Sequence, residues 1–216
     1  MDYIKEVLET VYYLSGVVLV LIAYLALGQI KVAKQHLEEQ KKALKITSKR
    51  DALKLTSEQI GHYGNFIVPL QTELDIKIDE HKIKFFSESD VTYGDGTIKV
   101  APYTDEKDMA KLLLIVKEFT KVMNSMEGFA VYFVSGVAEE KVAYHSLSST
   151  YCAMMKKLMP MLVIVDAGNK RFSASMQLFH IWNSRLIAED LALERDKINE
   201  QLKEHRSFSV DSIGTT

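Results

Sequence analysis

The chain has 216 residues, 47% of them hydrophobic and 26% charged, with a formal net charge of −2. That is a globular composition, long enough for one domain with an appendage, and it excludes bulk electrostatic binding of nucleic acid. A single cysteine, Cys152, excludes an internal disulfide framework and fits a reducing compartment.

Residues 1–10, the expected extracytoplasmic amino terminus, carry the acids Asp2, Glu6 and Glu9 against one base, Lys5. Val11 to Ile30 then runs for twenty residues without a charge. At about 1.5 Å per helical residue this covers roughly the 30 Å hydrocarbon core of a bilayer, so residues 11–30 are predicted to be a transmembrane helix. The apolar run is longer than a signal-peptide core, and acidic residues precede it, so an uncleaved anchor is expected. Tyr12 and Tyr13 stand at one interface.

Residues 31–62 read as a long basic helix that continues the span. Lys31, Lys34, Lys41, Lys42 and Lys45, with Lys49 and Arg50, face only Glu38 and Glu39 between residues 31 and 50. The basic flank stays in the cytoplasm, so the amino terminus is expected outside and the remaining chain inside. Gly16, Ala23, Ile30, Leu37 and Leu44 recur every seven residues, with Leu19, Ala26 and Ala33 at the complementary positions. Small residues in this seam permit close approach of helices in lipid, and the leucines carry it on in water. A homo-oligomer through this seam is expected. Ser15 and Gln29 are the polar groups that would face a pore.

The remainder, residues 63–206, reads as a cytosolic helical body, with residues 207–216 as a polar tail. Gly61, Gly64 and Pro69 are expected to break the connector helix. Residues 70–88 suit either a helix or a strand, and Asp95-Gly96 between β-formers marks a small hairpin within 90–101. Thr104 to Lys107 carries a helix start, and Met109, Leu112, Leu113, Val116, Phe119, Thr120 and Met123 follow a 3.6-residue period. Ser135-Gly136 separates a further helix, which Pro160 is expected to interrupt and Gly168 to close. A last helix is expected from about Lys170 to His205, with Leu178, Trp182, Ile187, Leu191 and Ile198 as its buried stripe. The fold class is therefore mainly α: one transmembrane helix, a long connector helix and a helical bundle.

Chemistry is sparse. The chain has no HExxH motif, no P-loop and no nucleophile elbow. No catalytic residue, metal or cofactor is expected, and Cys152 reads as a small core residue. His145 and Cys152, seven residues apart, are too few for a zinc site. Asn124, Glu127 and Arg185 lie in otherwise apolar stretches and need partners. A Glu127–Arg185 pair between helices is one expectation, and a polar pocket for a small nucleotide-like ligand is the other.

An amino-terminal membrane helix followed by TSKRDALKLTSEQ, NSMEGFAVYFVSGVAEEKVAY and LFHIWNSRL resembles a widespread bacterial family of membrane-anchored helical domains of unknown function. The resemblance covers residues 10–204 except the 75–103 insertion. It implies an architecture in the bacterial inner membrane and no catalytic residues. The layout is also similar to small membrane effectors of bacterial antiviral defence, in which a cytosolic domain senses a nucleotide signal or protein partner and oligomers open a pore. A gated membrane effector or channel is the function that layout implies. A membrane-tethered adaptor recruiting a cytosolic partner is the alternative.

Overall fold

The computed structural model describes residues 2–94, 97–101, 103–166 and 170–204. The chain divides into two compact units, Met1–Asp51 and Ala52–Thr216. The protein is mainly α-helical, with one small antiparallel hairpin.

Helix α1 spans Asp2–His62. Every residue from 3 to 51 is solvent-exposed, so the first unit has no buried residue of its own among those described. The helical run beginning at Tyr3 is long and apolar enough to cross a membrane.

In the second unit the glycines and Pro69 do not break the helix. Tyr63–Ile67 forms a π-turn, in which the Val68 N–H donates to the Tyr63 carbonyl. Helix α2 (Val68–Glu80) follows directly, with Pro69 in its first turn. A proline ring clashes with the carbonyl four residues back in a regular α-helix, and a widened turn relieves that clash. The ambiguity over residues 70–88 resolves as α2 and a single turn, α3 (Phe85–Glu88). Strands β1 (Val91–Gly94) and β2 (Thr97–Val100) pair antiparallel with Val91 opposite Val100. The Asp95-Gly96 turn itself lies outside the described residues.

Helix α4 (Glu106–Lys111) begins where the capping signal stands. The Asp105 carboxylate accepts from the Lys107 and Asp108 amides at 3.0 and 3.1 Å. A 3₁₀ turn over Leu112–Leu114 then shifts the helical phase before α5 (Val116–Val134). As a result Ile115, Phe119, Val122, Met123 and Met126 are buried, whereas Leu113 and Val116, expected inside, are exposed. Gly136 has φ +73°, a left-handed conformation suited to glycine, and the turn it makes ends α5.

Helix α6 (Glu140–Val165) runs through Pro160 without interruption. Pro160 is buried between Leu158, Met159, Met161 and Leu162, and their burial outweighs a proline penalty of about 3 kcal/mol. The expected closure at Gly168 lies outside the described residues, as do His205 and the tail at 207–216. Helix α7 spans Ser173–Glu204.

An aromatic cluster lies at the centre of the core. Trp182 and Tyr151 stand 5.2 Å apart, Phe129 and Phe133 4.8 Å, and Tyr63 and Phe129 5.1 Å. These rings come from α7, α6, α5 and the π-turn, so the cluster ties together the elements of the bundle. All buried residues among those described lie between Thr56 and Asn183.

Only part of the expected α7 stripe is buried. Leu178 and Trp182 are fully buried, but Ile187, Leu191 and Ile198 are 47%, 59% and 55% exposed. The five-residue step from Trp182 to Ile187 rotates the helix by about 140°, at about 100° per residue, and carries the later residues off the core face.

Candidate functional site

One group of polar side chains gathers at the short turn between α5 and α6. Thr56, on the last stretch of α1, is fully buried. Its hydroxyl donates to the Ala52 carbonyl at 2.7 Å and accepts from the Glu139 amide at 2.7 Å. One side chain therefore fastens α1 to the start of α6.

The next residue, Glu140, is the first of α6. Its Oε1 accepts from Trp182 Nε1 at 2.6 Å and from Arg185 Nη1 at 3.0 Å, and its Oε2 accepts from Arg185 Nη2 at 3.3 Å. A two-pronged guanidinium–carboxylate pair is orientation-specific, which fixes the register of α7 against α6. The Arg185 guanidinium also stacks over the Tyr144 ring, 4.4 Å from its centre. Burial, followed by the Glu189 carboxylate, pushes the Tyr144 hydroxyl up to about 12. The junction thus joins α1, α6 and α7 through Thr56, Glu139, Glu140, Trp182 and Arg185.

The expected Glu127–Arg185 pair does not form. Glu127 instead receives the Ala174 amide at 3.0 Å, and the Ser175 amide and hydroxyl at 2.8 Å each. It caps α7 from a neighbouring helix, supplying acceptors that first-turn N–H groups lack within their own helix. Both carboxylate oxygens are engaged, Arg185 is paired with Glu140 and Asn124 is exposed, so Asn124, Glu127 and Arg185 do not line one pocket. Glu140 stands in the expected partner's place. Nothing local in the sequence separates it from Glu139; only the fold brings it to Trp182 and Arg185.

Two further contacts hold the body. Lys157 on α6 reaches Asp75 on α2 at 2.7 Å. Asp108 accepts from the Lys84 and Phe85 amides, the Tyr103 hydroxyl and the Lys111 ammonium, which pins α3 and Tyr103 to α4. His145 is exposed while Cys152 is buried, so the two do not converge, and burial pushes the Cys152 thiol up to about 11.

On α1 the seam residues Gly16, Leu19, Ala23, Ala26, Ile30, Ala33, Leu37 and Leu44 are all exposed. Nothing lies within 4 Å of where a Cβ on Gly16 would stand, which leaves room for a neighbouring backbone. Ser15 donates its hydroxyl to the Tyr12 carbonyl at 2.7 Å, so that donor is already used inside the helix. Gln29 and the basic residues Lys31, Lys34, Lys41, Lys42 and Lys45 are exposed. A cavity of about 470 Å³ opens between Gln59 and His62 on α1 and Ser125, Gly128 and Tyr132 on α5.

No family model, curated protein or solved structure matches the chain.

Proposed function

We propose that this chain is an oligomeric single-pass membrane protein of the bacterial inner membrane, a ligand- or partner-gated effector whose cytosolic helical body controls its membrane helix. One observation carries the reading. Helix α1 bears a fully exposed apolar stretch with a small-residue seam, and the same helix holds Thr56, which is locked to the junction of α6 and α7. The amino terminus lies outside and the basic flank inside, following the charge asymmetry across the span. In the assembly, Gly16, Ala23 and Ala26 let several copies of α1 pack closely. A nucleotide-like signal or a cytosolic protein that strains the Glu140 junction shifts α1 relative to its neighbours. The open state is a hydrophobic constriction that wets, with Ser15 and Gln29 on its wall.

The experiment is the mass of the detergent-solubilised full-length particle, followed by ion flux after reconstitution. An oligomer whose Gly16→Leu and Ala23→Leu variants dissociate supports the reading, and a strict monomer in detergent and in lipid overturns it. A membrane-tethered adaptor is the second reading, favoured by the scarcity of polar groups along the span. Exchanging residues 1–30 for an unrelated transmembrane helix separates the two: the adaptor keeps its function and the effector loses it.

A further inference from the structure

The carboxy-terminal half of α7 is a helix whose apolar stripe is left exposed by the described residues. Ile187, Leu191, Ile198 and Leu202 are 47%, 59%, 55% and 64% exposed. At about 100° per residue these four fall within about 60° of one another. The buried residues of the same helix, Ser175, Leu178, Phe179 and Trp182, centre on nearly the opposite side. The stripe therefore faces away from the body that α7 helps to build, which suits a neighbouring molecule and not an incomplete core. Between Glu189 and Asp196 the segment carries four acidic residues and one arginine, and Arg195 is already paired with Asp196 at 2.8 Å.

A segment of complementary character exists on the same chain. Residues 31–50 of α1 carry seven lysines and arginines against two glutamates, and Leu37 and Leu44 are 51% and 69% exposed. Bringing several copies of this basic stretch together along its own seam gathers like charges, which opposes self-pairing in water. An acidic helix between them removes that repulsion.

We propose that the distal half of α7 docks on residues 31–50 of α1 of a second copy, as an antiparallel helix pair that closes the oligomer on its cytosolic side. The sense follows from the charge pattern, and the body itself shows the same antiparallel arrangement. Thr56 stands at Glu139 and Tyr63 at Phe129, whereas Ser175 stands at Glu127 and Trp182 at Glu140. The Ala52–His62 stretch of α1 and helix α7 therefore run in opposite directions within the body, and between copies the antiparallel sense is the one that sets lysine against acid along the leucine stripe. One register then satisfies both patterns. It sets Leu44 level with Leu191 and Leu37 level with Ile198. It also sets Lys41 level with Glu194, Lys45 with Asp190 and Glu38 with Lys197. The inference rests on the oligomeric reading above and names the surface that completes it in water.

The test uses full-length protein in vesicles of zwitterionic lipid. One tagged version carries Leu44→Cys and a differently tagged version carries Leu191→Cys; the native Cys152 is buried. Mild oxidation is expected to give a disulfide-linked species bearing both tags, at least tenfold above either version alone. Asp190→Lys with Glu194→Lys is expected to lower its yield at least fivefold, and Lys41→Glu with Lys45→Glu on the other version is expected to restore it. A linked pair from Leu191→Cys alone overturns the proposal in favour of α7 self-pairing. Linkage only within a chain carrying both cysteines overturns it in favour of α7 folding back. Loss of linkage on adding anionic lipid assigns residues 31–50 to headgroups and overturns it as well. An oligomeric particle with no mixed species sinks this inference alone, whereas a monomeric particle sinks the oligomeric reading beneath it.

Discussion

At the residue level, Glu140 is the most connected side chain of the junction, and its two oxygens carry three hydrogen bonds from Trp182 and Arg185. Hydrogen bonds to a charged group contribute about 1.5–3 kcal/mol, and removing the acceptor strands the Trp182 N–H inside the core. Glu140→Ala is therefore expected to destabilise the body by about 2–4 kcal/mol, measured by chemical denaturation, while Glu139→Ala, whose contact is through its backbone amide, costs less than about 1 kcal/mol. Equal losses would remove the special role of Glu140. Asp108 gives a pH signature. Burial pushes its carboxyl up, but donors from Lys111, Lys84, Phe85 and Tyr103 outweigh burial and hold it below its ordinary 3.8. A carboxylate held low in the folded chain stabilises it above the unfolded value, and that stability is lost as pH falls through the folded one. Wild-type protein is thus expected to lose stability below about pH 4 more steeply than Asp108→Asn, which itself is less stable at pH 7 by about 1–3 kcal/mol in denaturant titrations.

At the level of elements, α7 separates what periodicity reveals from what it conceals. Leu178 and Trp182 share a face, and the sequence marks both as buried. Ile187, Leu191 and Ile198 make an equally regular stripe about 140–180° away, and a list of apolar positions merges the two. The two prolines misled in a similar way. Pro69 and Pro160 both read as breaks, yet a π-turn absorbs one and a buried apolar surround holds the other. The capping signal at Asp105, the left-handed glycine at 136 and the hairpin strands at 91–100 were legible, because each depends on a few adjacent residues. Glu140 was not, because its partners lie more than forty residues away. The phase of α7 is open to test. Trp182→Ala is expected to cost about 3–5 kcal/mol and Ile187→Ser less than about 0.5 kcal/mol in the monomeric, detergent-diluted protein. Comparable costs would mean that the second stripe is packed within one chain.

At the level of the whole molecule, the buried core and the long apolar run lie in different parts of the chain. Every buried residue among those described lies between Thr56 and Asn183, and no residue from 3 to 51 is buried. Residues 1–30 contain the uncharged run Val11–Ile30, on a helix long and apolar enough to cross a bilayer. Removing them is expected to leave a chain that partitions into the soluble fraction and melts within about 2 °C of the full-length protein, since a loss of 1 kcal/mol shifts a domain of this size by about 2–4 °C. Thermal unfolding followed by circular dichroism, in the same detergent for both chains, checks this. Should the shortened chain melt more than about 5 °C lower, residues 1–30 contribute to the stability of the body. A shift of that size that disappears on dilution would locate the added stability in the assembly, where mass action makes it depend on protein concentration.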